Sequence, residues 1–460
     1  MDLHHLSNIP SGGLSAPAYY DLRAENRVTT VKDQGSAGTC WIFASYASLE
    51  SFLTPGEYWD LSENNVKNLL TSTSSPEGFD YSLNQGGNHI MSTAYLARWS
   101  GPVAESDDPY SSDPGVSPQN LTKQRHVQDV VFIQDRKNSL DNDGIKWAVQ
   151  NYGAVYTTMY YGSYYYSTGS SGYYYNGTSV GNHAVTIVGW DDSFDINKFK
   201  VISPGNGAFI VKNSWGTGFG ENGYFYVSYY DSDMGKYNAA FTAEEANNYE
   251  NIYQYDPLGW VTSFGYGNPT AWCANVFTAK SDENLKAVSF YTKNSNCNYE
   301  IYIYTNPGSG PKSQEVPVLY QSGTISTAGY HTVHLNSGVQ LKAGQKFSVV
   351  LKLTSPNNGY LIAIEYPWAG YSSKAKANSG ESFVSPDGEA WTDITTLYSN
   401  TNVCIKAFTD LGSGLPSANF SASPTSGNVP FKVTFTDQST GAPTSWYWDF
   451  GDGASASIPN

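Results

Sequence analysis

The sequence predicts a multidomain chain: an α+β domain, then an all-β sandwich, then part of a second, Ig-like sandwich. Three observations predict it. Helical patterns crowd the region before residue 153 and strand patterns follow it. Short, turn-punctuated strand patterns then run from about residue 246 to 409. At 460 residues the chain is also long enough for several domains.

The elements follow in order. Residues 1–16 are polar and rich in Gly and Ser, which predicts a flexible leader. "CWIFASYASLESFL" (40–53) sets Ile42, Phe43, Tyr46, Leu49 and Leu53 at helical spacing, and Pro55 and Gly56 end it. "LSENNVKNLL" (61–70) and "DGIKWAVQNYG" (143–153) predict further helices. "AVYTTMYYG", "HAVTIVGW", "GAFIVKNSW" and "GYFYVSYY" read as strands, closing a first domain over 17–243. The polar run "TAEEANNYE" (242–250) reads as a separator. "CANVFTA", "LKAVSFYTK", "YEIYIYT", "HTVHLN", "KFSVVLKL", "YLIAIEY" and "NVCIKAF" then predict a sandwich over 246–409. "DLGSGLPS" (410–417) is a linker by composition, and 418–460 begin a third, all-β unit.

Lys and Arg number 25 against 41 Asp and Glu, a net charge of −16. A phosphate-binding surface is basic, so nucleic acid is excluded as a partner. No apolar run reaches the length of a membrane span, and no export signal opens the chain. The composition leans to Tyr, Asn, Ser and Gly, as in β-rich extracellular modules. Cys40 stands alone in the first 272 residues; Cys273, Cys297 and Cys404 follow, enough for one disulfide of unreadable pairing.

The question is whether Cys40 packs or reacts. A thiol becomes a nucleophile when its thiolate is stabilised. A helix starting at Cys40 puts its positive end at the sulfur. A histidine adds an ion-pair partner, an Asn oxygen holds the ring, and attack on an amide requires oxyanion donors. The chain offers His183 in "NHAVTIVGW", Asn213 in "VKNSWGTGFGENGY", and Gln34 six residues before Cys40.

"DQGSAGTCW", "NHAV" and "NSWGTGFGENGY", with "LSENN" and "QGGN" (85–88), resemble the papain-like cysteine proteases over roughly residues 17–241. The family spaces its His and Asn about 130–150 residues after the Cys. His183 falls within that range and Asn213 beyond it, the excess lying in the polar insertion "DSFDINKFKVISPGNG". The resemblance implies a nucleophile at Cys40, a general base at His183 and an orienting group at Asn213. It implies that Gln34 completes the oxyanion hole with the Cys40 N–H, and that Trp215 shields the His–Asn bond. Gly86 and Gly87 would pair with the substrate backbone, and Ala184 and Thr157 would line a side-chain pocket. Where the family carries disulfides, this chain has Ala37, Leu69 and Asn84. The leader is too short for the family's inhibitory propeptide, so a mature form is expected.

Residues 246–409, with "YQYDPLGW" and "SFVSPDGEAWTD", resemble the lectin-like domain of clostridial and archaeal surface cysteine proteases. Some such domains hold calcium, so a structural calcium ion is one implication; catalysis requires no cofactor and no metal. "SWYWDFGDG" resembles a PKD domain of which 418–460 are the first part. The expected protein is thus a cysteine endopeptidase, extracellular or at the cell surface. It would be a monomer acting on polypeptides, with surface-layer proteins or cell-surface carbohydrate as further partners. The alternatives are a surface adhesin using the protease fold as a scaffold, or an acyltransferase using the same Cys–His pair. All proposed catalytic residues precede the polar run at 242–250, so the second region is expected to be dispensable for the chemistry.

Other motifs have bland readings. "GFGENG" (218–223) imitates a dinucleotide loop, but a strand follows it, not a helix. His331 and His334 fall on opposite faces of a strand, unfit for one metal. His89 and His126 are expected to be structural. Eight tyrosines at 160–175 predict a hairpin with half-buried rings.

Overall fold

The computed structural model describes residues 16–71, 75–313, 316–355, 359–411, 418–428, 431–439, 445–451 and 453–457. The leader up to residue 15 and the linker residues 412–417 lie outside the described residues. Four helices, α1 (Cys40–Leu53), α2 (Glu63–Thr71), α3 (His89–Ala97) and α4 (Asp143–Tyr152), belong to the first unit. So do strands β1 (Tyr19–Asp21), β2 (Arg125–Ile133), β3 (Val155–Met159), β4 (Tyr166–Ser167), β5 (Gly172–Tyr173), β6 (His183–Asp191), β7 (Ala208–Lys212), β8 (Tyr224–Ser228) and β9 (Lys236–Glu245). The second unit runs through β10 (Asn251–Tyr253), β11 (Thr262–Phe264), β12 (Thr270–Thr278), β13 (Glu283–Thr292), β14 (Cys297–Thr305) and β15 (Leu319–Ile325). It continues with β16 (Ala328–Leu341), β17 (Lys346–Thr354), β18 (Ile362–Glu365), β19 (Ser382–Ser385), β20 (Thr392–Asp393), β21 (Asn402–Val403) and β22 (Ile405–Leu411).

Helices α1, α2 and α4 fall where periodicity places them. Helix α3 does not figure in the pattern above, although Asn88 caps it, its Oδ1 accepting from the Met91 N–H at 3.0 Å. Strands β2 and β9 were not expected either, and β9 consumes half of the supposed polar separator. Its centre is buried without alternation. A strand covered on both faces shows no polar/apolar period to read.

Those two strands decide the architecture. β9 pairs with β2, and β2 pairs with β16 of the second unit, Val130 opposite Tyr330 and Phe132 opposite Ala328. One 13-stranded sheet therefore runs through both units. The expected sandwich is present, with a second sheet in the order β15-β14-β17-β12-β19-β20, but its first sheet is an extension of the protease sheet. Gly329 makes the junction: its φ is +144°, and a Cβ there would lie 2.0 Å from the Val130 carbonyl oxygen. The core is equally continuous. Trp41, Tyr95 and Phe241 share one buried cluster with Leu258, Tyr291 and Tyr330. His331 serves the seam, its Nδ1 3.0 Å from Asp129 Oδ1 of β2. His334 meets the Tyr249 hydroxyl instead, at 2.8 Å.

The final segment forms two hairpins, Phe420–Ser423 with Thr434–Asp437 and Trp448–Asp449 with Ser455–Ala456. Phe420, Phe435 and Trp448 meet there, yet Phe420 stays 56 % exposed.

A buried ionic cluster anchors α1 from below. Lys32 Nζ lies 2.7 Å from Asp60, 2.9 Å from Glu63 and 3.1 Å from Glu50. Burial pushes the Glu63 carboxyl up to about 8 even against this cation. Lys32→Met would take this cation from the buried Glu50 carboxylate. It is expected to cost about 3–5 kcal/mol of stability, read by denaturant unfolding.

Candidate active site

Helix α1 begins at Cys40 itself. Its first turn holds no acidic residue, and Thr39 gives it no side-chain cap. The Thr39 hydroxyl bonds Tyr110 instead, at 2.8 Å. The helix end is thus left to act on the sulfur. Strand β6 begins at His183, so Ala184 stands beside Cys40 and its N–H donates to Cys40 Sγ at 3.4 Å. Strand β7 ends at Lys212, which places Asn213 in the following turn. Asn213 Oδ1 lies 2.8 Å from His183 Nε2 and also accepts the Ser214 N–H at 2.9 Å. Trp215 stacks on the His183 ring at 4.5 Å and 20°. The insertion at 192–207 joins β6 to β7 as a loop and leaves their pairing intact.

Gln34 reaches the site from the preceding segment. Its Oε1 accepts the Ser214 hydroxyl at 2.7 Å, and its Nε2 donates to the Ala37 carbonyl at 2.8 Å. One amide hydrogen of Nε2 remains beyond that bond. Gly87 packs on the Trp41 indole so closely that a Cβ would sit 2.3 Å from it. Gly86, at φ +77°, meets nothing within 4 Å of a Cβ position. The structure thus brings Cys40, His183, Asn213, Gln34, Ala184 and Trp215 together, with Gly87 packed on Trp41 of the same helix.

Thr157 is a correction. It is fully buried, its hydroxyl donates to Asn238 Oδ1 at 2.7 Å, and it pairs with Val185 across β3 and β6. Ala184 pairs with Thr158, which is half-buried. Side chains alternate along a strand, so Thr158, not Thr157, shares the face of Ala184.

The electrostatics also depart from expectation. Burial pushes the Cys40 thiol up, while the N–H groups of Ala184, Trp41 and Cys40 itself pull it down less. Burial lowers the His183 imidazole to about 4, against the Asn213 bond that raises it. Both shifts favour the neutral pair, because desolvation penalises thiolate and imidazolium alike. The ion pair that the sequence suggests is therefore opposed by its own burial.

Three contributors were missed. Tyr161 packs edge-on against Trp215 at 4.7 Å, Ser214 orients Gln34, and the Tyr110 hydroxyl donates to the Gln34 carbonyl at 2.8 Å. No local spacing marks Tyr161 among its neighbouring tyrosines; Ser214 was legible only as part of the "NSW" run. The four cysteines are free and the last three are buried, so the conditional disulfide is not formed. Among the described residues no group of three or more His, Cys, Asp or Glu gathers as for a metal ion. No helix among them is long and apolar enough to cross a membrane.

Comparison with known proteins agrees with this geometry. Residues 16–244 match the papain family of cysteine proteases, 252–409 a lectin-like domain and 415–460 a PKD domain. Cathepsin J of Mus musculus is 30 % identical over 233 residues, 49 % of this chain and 63 % of that protein. Ananain of Ananas comosus is 28 % identical over 213 residues, 46 % of this chain and 55 % of its own length. The chain thus spans less than two thirds of these curated relatives. The structure of the clostridial cysteine protease Cwp84 after propeptide cleavage is 29 % identical. It superposes with a TM-score of 0.77 over 86 % of this chain and 99 % of that one. A structure of the protease and lectin-like domains of Cwp84, a surface-layer-associated protein of Clostridium difficile, is 28 % identical. It covers 88 % of this chain and 91 % of that one, with a TM-score of 0.73. In residues 16–244 the chain carries a cysteine peptidase unit of the papain family. In particular, it carries that peptidase ahead of a lectin-like domain and a PKD domain.

Proposed function

We propose that the chain is a cysteine endopeptidase that works outside the cell or at its surface, by a Cys–His–Asn mechanism. The observation that carries this is the His183 ring held between Asn213 Oδ1 and Trp215, with the next residue's N–H on Cys40 Sγ. As a polypeptide carbonyl arrives, His183 Nδ1 takes the thiol proton and Sγ forms the bond to carbon. The oxyanion is held by the Cys40 N–H and the remaining Gln34 Nε2–H. His183 gives its proton to the leaving amine, and the C–N bond breaks. His183 then draws a proton from water, whose oxygen attacks the thioester and frees the acid and the thiol. Each role falls to a group of this chain. Gly86, Gly87 and Ala184 lie where the extended substrate would run.

The units are taken as 17–243 for the protease, 246–409 for the lectin-like region and 418–460 for the PKD segment; of the linker expected at 410–417, Asp410 and Leu411 instead end β22 and pair with β13. The surface-layer association of Cwp84 supports a similar setting, with surface-layer proteins or envelope carbohydrate as partners of a monomer. An epoxide-type thiol-protease inhibitor is expected to add to Cys40, read by mass analysis of the peptide that carries it. His183→Ala is expected to lower kcat/KM by roughly 10³-fold and Asn213→Ala by roughly 10-fold to 10²-fold, since Asn213 only orients the ring. No adduct at Cys40 in an inhibitor-treated, folded chain overturns the reading. Equal losses in the two variants would give Asn213 more than an orienting part.

A further inference from the structure

Where the two units meet, they form an open cavity of about 460 Å³. His89, Phe132 and Tyr237 line it from the protease; Trp260, Lys293 and Tyr360 line it from the lectin-like unit. The wall is a chain of rings: His89 stands 5.0 Å from Phe132, and Phe132 stands 6.1 Å from Trp260. His89 also lies 5.5 Å from Tyr156. Tyr156 shares the buried cluster with Ala184 and Cys40, which ties the cavity to the reactive sulfur. His89 follows Gly87 by two residues, so the cavity opens beside the proposed path of the substrate backbone.

Several features mark the wall as a built one. Tyr237 holds φ +53°, an unusual conformation for a bulky side chain, and sits in a register shift between β3 and β9. His89 is 7 % exposed, and its Nδ1 has no hydrogen-bond partner among the described residues. The junction is held by the β2–β16 pairing and by an Asn88 Nδ2–H bond to the Tyr371 hydroxyl at 3.3 Å. Lys293 is exposed and is the one formally charged side chain lining the cavity among the described residues. On a chain of net charge −16, a lone ammonium over an aromatic wall selects the charge of what it meets.

We propose that this cavity is a substrate subsite completed by the lectin-like unit. It takes an apolar or aromatic side chain against the rings, and a carboxylate of the same polypeptide at Lys293, on the N-terminal side of the cut. The proposal rests on the endopeptidase reading above. The test uses the full chain and peptides that differ only in Glu, Gln or Lys at each of the four positions before the cut. The unaltered chain is expected to prefer Glu over Lys at one of them by about fivefold in kcat/KM, carried by KM. Lys293→Glu is expected to reverse that order, and Tyr360→Ala to raise KM for peptides with an aromatic residue nearby. Cleavage with the same charge profile in the unaltered chain and Lys293→Glu overturns the subsite and leaves the endopeptidase standing. Failure of the unaltered chain to cleave any peptide overturns both.

Discussion

Cys40→Ala is expected to lower kcat/KM for peptide hydrolysis by about 10⁴-fold or more while leaving the melting temperature nearly unchanged. The loss is large because no other thiol can replace it. Cys273, Cys297 and Cys404 are buried in the second unit, where burial pushes each thiol up, beyond any use as a nucleophile. The fold survives because Cys40 is half-buried and its sulfur meets backbone N–H groups, that of Ala184 at 3.4 Å among them, whose own strand and helix pairing does not depend on it. Alanine also suits the first turn of α1. Peptide assay and thermal unfolding of the same preparation check this, and substantial amidase activity in the variant would refute the nucleophile.

Ending the chain near residue 245 is expected to destabilise the protease unit severely, with a drop in melting temperature on the order of 10 °C or loss of solubility. The sheet does not divide where the catalytic residues end, so dispensability for the chemistry does not extend to the fold. Truncation removes β16 and turns β2 into an unpaired edge at Val130–Phe132. It also strips Leu258, Tyr291 and Tyr330 from the core they share with Tyr95 and Trp41. Each such side chain contributes about 1.5–3 kcal/mol by its burial. The Arg98 guanidinium further loses the Pro257 carbonyl at 2.8 Å. A monomeric fragment melting at the temperature of the full chain would show the two units to be independent.

The order of dependence between the units is therefore physical before it is catalytic. No group proposed to react with the peptide bond lies beyond Trp215, yet the strand that closes the protease sheet comes from residues 328–341. Two demands meet in that seam. It buries the apolar face of the helical half, and it walls the cavity at His89 and Lys293.

By itself the sequence determined the chemistry-bearing segments and the elements that carry them. Cys40 at a helix start, His183 at a strand start and Asn213 after a strand are legible because motif and periodicity are local. Helix α1 and strands β3, β6, β7 and β8 follow from spacing alone. Tertiary structure decided the rest. Which of Thr157 and Thr158 faces Ala184 depends on pairing register, and a shift of one residue exchanges the faces. The protonation of Cys40 and His183 depends on burial, which no spacing reports. Strands β2 and β9 carry no legible period because both of their faces are covered, and the pairing of β2 with β16 joins residues some 200 positions apart. Such contacts are set by three-dimensional packing of the whole core, and no local pattern in the chain encodes them.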